Sequence, residues 1–408
     1  MKERMMPYDF ETLPERRGTG ASKWEAMLSD NPDLAGDVVP LSVADMEFAT
    51  PEPIKNALHR LIDETTLGYT EPTDAFYDAC IAWQERRHGW KPERDWIVTS
   101  PGVVPALFTA VRAFTDEGDG VIIQPPVYYP FSMAIKRTGR TILRNPLIEV
   151  DGSYRIDFDS LDRIAHSPEA KAIILCSPHN PVGRVWSEEE LLRMVEICSD
   201  AGLIILCDEI HNDLILPGHV HHTLLKLATP EQARRIAVFT SYSKTFSLAG
   251  TLGSVIYIPD ESLRKRFEDQ HASEGFFGLN AFAFRSLIAA YDECEGWLDA
   301  LIPVIDRNYR LLVDTLDGKL GGLRVIPLEG TYLPWVDFSA WGMDADERER
   351  FLHKEAQLYL DGGAMFGEEG ASFERFNIAC PTWVLENALE RLSAAYERLH
   401  DARKEIVQ

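Results

Sequence analysis

The pattern of hydrophobic and polar positions changes along this chain. Residues 1–50 have no regular period because Pro and Gly interrupt them at short intervals, so they predict an irregular arm. Apolar residues then return at helical spacing, which predicts helices over residues 53–64 and 74–87. From Trp96 onward, short apolar runs alternate with helical segments, and this order is typical of an α/β fold.

The apolar runs between residues 96 and 258 predict one sheet. They are continuous rather than alternating, which is typical of parallel strands covered by helices on both faces. Ser187 and Glu190 have the spacing of a capping box, so a helix is predicted to begin there and to end near Gly202. The predicted strands are residues 96–99, 121–124, 171–176, 203–207, 236–239 and 253–258.

The last part of the chain has a different order of elements. Helices are predicted over residues 297–316, 346–359 and 383–399, around short strands at 331–336 and 375–378. We therefore expect an arm (1–50) that packs on a small α/β domain (296–408), and a large domain (51–295). The large domain is predicted to have three layers, αβα, around a mainly parallel sheet.

Composition and charge exclude several classes of function. The chain has 408 residues, of which 45% are hydrophobic and 26% charged, as in an ordinary folded protein. A net charge of −24 argues against nucleic acid or an anionic membrane as the main partner. No apolar run approaches the length of a membrane span and no signal-type segment is recognised, so we expect a cytoplasmic protein.

Neither the cysteines nor the histidines have the spacing of a metal site. The six cysteines are scattered without C-x-x-C pairs, which fits a reducing compartment. Cys176 and Cys207 lie in apolar runs and are expected to be buried. His219, His221 and His222 have no carboxylate or cysteine at a convincing spacing, so a solvated loop is predicted there.

Lys244 is the first candidate for catalysis. It stands in Ser-Tyr-Ser-Lys (241–244), directly after the apolar run 236–239. A lysine at the end of a buried strand is costly unless it has a task. One such task is to hold a carbonyl cofactor as a Schiff base, which a desolvated lysine with a lowered pKa can do. A surface lysine in a Ser-rich turn is the alternative.

Other polar groups follow neighbouring predicted strands, where ligands of parallel sheets collect. Asp208 ends one apolar run, and Asn180 follows another. Gly102 opens a helix whose first N–H groups and dipole can bind an anion without a charged side chain. A helix cap is the alternative for Asp208, and a turn before Pro181 is the alternative for Asn180.

The order of these motifs resembles the fold-type I pyridoxal-phosphate enzymes of the class I/II aminotransferase superfamily. More narrowly, it is similar to the cystathionine β-lyase-like C–S lyases of the MalY/PatB branch. The resemblance spans roughly residues 40–395. The motifs that carry it are Val-Ala-Asp-Met-Glu-Phe (43–48), Gly-Val-Val-Pro (102–105), Pro-Pro-Val-Tyr-Tyr-Pro (125–130), Pro-His-Asn-Pro-Val-Gly (178–183), Asp-Glu-Ile-His (208–211), Ser-Tyr-Ser-Lys (241–244) and Arg-Phe-Asn (375–377).

The resemblance implies roles around the cofactor ring. Lys244 would bind pyridoxal 5'-phosphate as a Schiff base and later act as the base at the substrate Cα. Asp208 would keep the pyridine nitrogen protonated, so that the ring can accept electrons. Asn180 would donate to the 3′-oxygen, Tyr128 would stack on the ring, and His211 would have a supporting role. A core aromatic is the alternative for Tyr128.

The resemblance also implies the phosphate and substrate contacts. Arg375 would bind the substrate carboxylate through its planar fork, near Ala44 and Asn180, although a surface pair with Glu374 is the alternative. Leu252 stands where many aminotransferases have an arginine for the phosphate. The residues implied to bind the cofactor are Gly102, Val103, Val104, Tyr128, Asn180, Asp208, His211, Ser241, Ser243, Lys244 and, from a partner subunit, Tyr69.

The function that the resemblance implies is β-elimination from L-cystathionine or another cysteine S-conjugate, in a homodimer with shared sites. An aminotransferase, alone or as a second activity, is the first alternative, since it shares the early steps. Leu252 and the Val-Ala-Asp-Met-Glu-Phe stretch favour elimination. A regulatory protein that keeps the fold is the second alternative, but a scaffold needs none of Lys244, Asp208, Asn180 and Arg375.

Overall fold

The computed structural model describes residues 8–407. Its helices are α1 (Ser22–Asp30), α2 (Glu52–Glu64), α3 (Asp74–His88), α4 (Val103–Phe114), α5 (Pro130–Arg137), α6 (Phe158–Ala165), α7 (Glu188–Asp200), α8 (Leu224–Leu227), α9 (Pro230–Ala233), α10 (Tyr242–Thr245), α11 (Glu261–Ser273), α12 (Ala281–Glu293), α13 (Glu295–Leu316), α14 (Ala345–Lys354) and α15 (Thr382–Val407). Its strands are β1 (Ile97–Ser100), β2 (Gly120–Ile123), β3 (Thr141–Arg144), β4 (Ile148–Val150), β5 (Ser153–Arg155), β6 (Ala170–Cys176), β7 (Ile204–Asp208), β8 (Ile236–Thr240), β9 (Ser254–Tyr257), β10 (Arg324–Val325), β11 (Trp335–Asp337), β12 (Asp361–Gly362) and β13 (Phe373–Arg375).

Seven strands form the central sheet, in the order β1-β9-β8-β7-β6-β2-β3. The pairs from β8 to β3 are parallel, whereas β9 runs antiparallel to both β8 and β1. The predicted α/β fold with a mainly parallel sheet is confirmed. Because β1, β6, β7 and β8 point the same way, the loops that follow them meet at one edge of the sheet.

Helices cover both faces of this sheet. Leu206 lies in a core with α4, α5 and α11, while its neighbours Ile205 and Cys207 lie in a larger core with α7. Successive side chains of a strand point to opposite faces, so both faces of β7 are buried. This is why the strands read as continuous apolar runs, and it gives the three predicted layers.

A second sheet lies in the C-terminal part of the chain. Its order is β10-β11-β13-β12, and all three pairs are antiparallel. The N-terminal arm contacts this part, since Trp383 Nε1 donates to Glu11 O at 3.0 Å and Leu41 N donates to Tyr359 O at 2.9 Å. The domain ranges 1–50, 51–295 and 296–408 stay a prediction.

The prediction of an irregular arm is wrong for one segment, because α1 lies within it. This segment contains no Pro or Gly, and Trp24 and Met27 are buried one turn apart. Lys23 is buried as well, and its Nζ lies 2.8 Å from Glu47 Oε1. The local pattern therefore permits this helix, while the distant partner of Lys23 is not revealed by it.

Three elements of the C-terminal part have bounds that differ from the predicted ones. The helix predicted over 346–359 ends at Lys354, and the strand predicted over 331–336 is reduced to β11. Thr331 has a φ of +72°, which lies outside the β region, and Pro334 has no N–H for a ladder. The strand predicted over 375–378 ends at Arg375, after which Asn377 N donates to Leu41 O instead.

The predicted solvated histidine loop is wrong for His221. This side chain is buried, and its Nε2 lies 3.0 Å from Glu209 Oε2. Within residues 8–407, no three or more His, Cys, Asp and Glu side chains are grouped so that they could hold a metal ion. All six cysteines are buried and free, as expected for Cys176 and Cys207. In the same range, no helix is long and apolar enough to cross a membrane.

Candidate active site

A cavity of about 230 Å³ lies where β6, β7 and β8 end. Asp208 ends β7 and is the register neighbour of Cys176, which ends β6. Lys244 lies on α10, directly after β8. The predicted site residues that line the cavity are Ala44, Gly102, Val103, Val104, Tyr128, Asn180, Asp208, His211, Ser243 and Lys244.

Lys244 points its amine into this cavity and is not a surface lysine. Its Nζ donates to Ala44 O at 2.7 Å. Burial, together with the charge of Arg375, lowers the pKa of Lys244 to about 8, although Asp45 and Asp208 act in the opposite direction. A substantial fraction of the amine is therefore neutral, and nucleophilic, near neutral pH.

Asp208 is a buried carboxyl whose charge is poorly compensated. Burial raises its pKa to about 7, against the N–H of Ile210 and the charge of Lys244, which lower it. Its Oδ1 accepts from Ile210 N at 3.0 Å. No helix begins here, since the next one is α8, so the helix-cap interpretation is wrong. Two groups with pKa values shifted towards neutrality in one cavity are typical of a catalytic site.

Arg375 and Asn180 are connected beside the cavity. Arg375 Nη1 donates to Asn180 Oδ1 at 2.8 Å, and Arg375 Nε and Nη2 donate to Asp361 Oδ2 at 3.2 and 2.6 Å. Glu374 instead pairs with the buried Arg348, at 2.6 Å. The alternative of a surface pair between Arg375 and Glu374 is therefore wrong.

Tyr128 and His211 complete the wall around Asp208. Tyr128 lines the cavity and its N donates to Asn180 O at 3.1 Å, whereas its neighbour Tyr129 is exposed. Burial and the charges of Lys244 and Arg375 hold the pKa of His211 well below its ordinary value, so its ring is neutral. Its Nδ1 has no hydrogen-bond partner among the described residues.

The N-terminus of α4 also lines the cavity. Gly102 is the N-cap residue and offers no side chain to the first N–H groups of this helix. Ser243 and Leu252 also line this cavity. Ser241 lies behind the wall, where its Oγ donates to Gly253 O at 2.7 Å, so its contact with a phosphate stays a prediction.

Tyr69 is not brought to the cavity of its own chain. It is fully exposed, and it shares a surface depression with Leu67 and Phe277, which are also exposed. Three large apolar side chains side by side on the surface are unusual for a face that meets only water. The predicted donation of Tyr69 to a partner subunit remains a prediction.

Comparison with known proteins identifies the family. The class I and II aminotransferase family matches residues 36–392. The chain belongs to this family.

One curated relative and two solved structures are similar to this chain over nearly its whole length. Cystathionine beta-lyase PatB of Bacillus subtilis (strain 168) is 40% identical over 389 residues, 95% of this chain and 99% of the relative. Cystalysin from Treponema denticola, whose structure contains pyridoxal 5'-phosphate, is 43% identical with a TM-score of 0.94, covering 97% and 100% of the two chains.

The second structure is the pyridoxal-phosphate-bound C–S lyase from Staphylococcus hominis in complex with L-cycloserine. It is 33% identical with a TM-score of 0.87, covering 95% of this chain and 98% of that one. These findings confirm the predicted family and fold. The cofactor bound to both structures is the one predicted from the sequence.

The side chains of this family member fit that cofactor chemically. A partly neutral lysine can add to an aldehyde, and a buried carboxyl can face a protonated ring nitrogen. The uncapped N-terminus of α4 supplies N–H groups for a phosphate. His211 adds a buried nitrogen, Nδ1, that has no hydrogen-bond partner within residues 8–407.

The side chains that support Lys244 from behind were not predicted from the sequence. Thr245 Oγ1 donates to Asp213 Oδ2 at 2.7 Å, and Trp83 Nε1 and His88 Nε2 lie 3.1 and 3.0 Å from Asp213 Oδ1. Burial raises the pKa of Asp213, but the hydrogen bonds from His88 and Thr245, together with the charge of Arg87, hold it below its ordinary value. His88 and Trp83 lie 125 and 130 residues before Asp213 in the sequence, so no local spacing indicates that they contact it.

The hydrogen bonds that hold the loop around Ala44 were not predicted from the sequence either. Tyr332 OH donates to Ala44 O at 3.0 Å, and Asn377 Nδ2 donates to both Val43 O and Asp45 O at 2.6 Å. Val43 has a φ of +55°, an uncommon value for a β-branched residue. This loop is thus fixed from both sides where it accepts Lys244 Nζ.

Proposed function

We propose that this chain is a pyridoxal-phosphate-dependent carbon–sulfur lyase that acts on L-cystathionine or a related cysteine S-conjugate. The observation that carries the proposal is the meeting of Lys244 and Asp208 in one cavity, with pKa values of about 8 and 7. The relatives named for cystathionine and C–S lyase activity, over nearly their whole length, support the choice of reaction.

The cofactor would be held at three points. The N-terminus of α4, with Ser241, Ser243 and the partner's Tyr69, would bind the phosphate. Asp208 would pair with the ring nitrogen, Asn180 and His211 would lie at the phenolic oxygen, and Tyr128 would cover the ring. When bound, pyridoxal phosphate supplies a sink for the electron pair left at Cα.

The side chains then divide the work on the substrate. Arg375 binds the α-carboxylate and fixes the orientation of Cα. Lys244 Nζ, once free, takes the Cα proton as a neutral amine. The Cβ–S bond breaks and its electron pair leaves with sulfur, which is released as a thiol after it takes up a proton. The 2-aminoacrylate that remains takes up water to give pyruvate and ammonia.

Transamination is the second candidate, because the family itself is named for aminotransferases. It uses the same residues up to removal of the Cα proton. Leu252, which lines the cavity where many aminotransferases have an arginine, favours the lyase.

We infer that the working form is a homodimer. Leu67, Tyr69 and Phe277 form an exposed apolar group on one face, and a second copy would cover them. In that arrangement Tyr69 would reach the phosphate of the partner subunit's site.

The proposal is tested by product analysis with L-cystathionine. A lyase releases thiol and pyruvate in equal amounts without any added keto acid. An aminotransferase turns over only when a keto acid is supplied, and this result would replace the proposed reaction. Lys244→Ala is the control for background reaction and should release neither product.

A further inference from the structure

Asp361 lies at the substrate side of the site without an assigned role. It begins β12 and is the register neighbour of Arg375 on β13. A single oxygen, Oδ2, accepts from Arg375 Nε at 3.2 Å, from Arg375 Nη2 at 2.6 Å and from Val43 N at 2.9 Å. Both side chains of the pair are largely buried, with 4% of Arg375 and 11% of Asp361 exposed.

This pairing limits how Arg375 can bind a carboxylate. A guanidinium has five N–H donors, one on Nε and two on each terminal nitrogen. Asp361 takes the Nε donor and one from Nη2, and Asn180 takes one from Nη1. One N–H on each terminal nitrogen remains. The side of the fork formed by Nε and Nη2, which is equally suited to a carboxylate, is filled.

The same oxygen also ties the arginine to the loop that contacts the catalytic lysine. Val43 N donates to it, and the next residue, Ala44, accepts Lys244 Nζ at 2.7 Å. Asp361 therefore connects Arg375 to Lys244 through three hydrogen-bonded steps and the Val43–Ala44 backbone: Arg375 to Asp361, Val43 N to Asp361, and Lys244 Nζ to Ala44 O. A substrate bound between Arg375 and Lys244 depends on the distance between them.

We propose that Asp361 is a positioning residue that confines the substrate carboxylate to the terminal N–H groups of Arg375. The proposal rests on the proposed function, since it assigns the carboxylate of an amino-acid substrate to Arg375. Without Asp361, the vacated place offers three N–H donors, from Arg375 Nε, Arg375 Nη2 and Val43. A substrate carboxylate bound there is displaced by the width of the guanidinium, and its Cα is out of reach of Lys244.

The test uses Asp361→Ala in the cofactor-loaded enzyme with L-cystathionine. Because misplaced and correct binding compete, kcat should fall about tenfold or more while KM does not rise. Formate, a carboxylate small enough for the vacated place, should restore kcat with saturation in this variant and should not activate the wild type. A raised KM with unchanged kcat, or no effect of formate, would overturn the proposal.

A second readout does not depend on lyase activity. L-alanine has no leaving group, and its binding is followed by the change in cofactor absorbance. The change at saturating L-alanine should be smaller in Asp361→Ala than in the wild type, and formate should restore it. If the absorbance change in Asp361→Ala is as large as in the wild type, the positioning role is refuted. If the change is smaller and formate restores it, but the wild type releases no pyruvate from L-cystathionine, only the proposed reaction is refuted.

Two further variants serve as controls. Asp337→Ala removes an equivalent cross-strand partner in the same sheet, since Asp337 Oδ2 accepts from Arg324 at 2.9 Å, and kcat should stay within about twofold with no response to formate. Asp361→Asn keeps the place filled without the charge. Its kcat should fall less than that of Asp361→Ala, and formate should not change it. If formate raised the kcat of Asp361→Asn, formate would not be acting by filling a vacated place.

Discussion

Replacement of Asp208 by Asn should stabilise the protein without its cofactor while it abolishes the reaction. Asp208 is buried, and its only hydrogen bond in the described structure that lowers its pKa is from Ile210 N. An asparagine oxygen can accept that bond at the same place. The substitution therefore removes a poorly compensated charge and leaves the local hydrogen bond in place.

The magnitude follows from the pKa of Asp208, which burial raises from 3.8 to about 7. At 1.36 kcal/mol per pKa unit, the ionised group costs the folded state about 4 kcal/mol. Between these two values the folded state binds more protons than the unfolded state, so the wild type loses stability as pH rises. The advantage of Asp208→Asn should be near zero at pH 4, grow by about 1.4 kcal/mol per pH unit and level off above pH 7.

The assay is urea unfolding of both cofactor-free proteins across this pH range. With cofactor bound, the order should reverse, because the proposed partner of the ring nitrogen is lost and the variant should bind pyridoxal phosphate more weakly. An advantage that is constant with pH, or a variant less stable than the wild type at pH 8 without cofactor, would refute the reasoning.

Three further predictions address the amine, the dimer and a buried ion pair. The rate at which the cofactor-free protein binds pyridoxal phosphate, measured by cofactor absorbance, should rise with pH and level off above about pH 8, because neutral Lys244 accumulates. Equal rates at pH 6 and pH 9 would contradict this. Mixed dimers of Tyr69→Ala and Lys244→Ala subunits should regain about a quarter of wild-type pyruvate release, since half the dimers are hybrids with one complete site; no recovery would argue against donation. Arg348→Ala should cost about 3–5 kcal/mol in denaturant unfolding because Glu374 stays buried without its partner, and Glu374→Gln in that background should recover part of the loss.

The parts of the fold that could be predicted are those with a local cause. The strands β6, β7 and β8 are buried on both faces, so each reads as a continuous apolar run. Polar residues directly after such strands, including Asp208 and Lys244, meet at one edge because parallel strands end there. The apolar pattern and the order of the strands therefore indicate that these residues share one edge, whereas their roles come from the family resemblance.

The parts that could not be predicted depend on distant partners. Asp361 stands in Tyr-Leu-Asp-Gly-Gly (359–363), and nothing in this stretch indicates Arg375 or Val43 as its partner. The burial of Lys23 in helix α1 likewise depends on a distant group, since its Nζ pairs with Glu47. His221 reads as one of three surface histidines until Glu209 is placed beside it.

The claim on which the account depends most is that Lys244 carries the cofactor. Borohydride reduction of the cofactor-loaded protein, followed by peptide mass spectrometry, tests it directly because reduction makes the lysine–cofactor bond permanent. We expect a pyridoxyl group on the peptide that contains Lys244. A group on another lysine, or none after loading with pyridoxal phosphate, would contradict it.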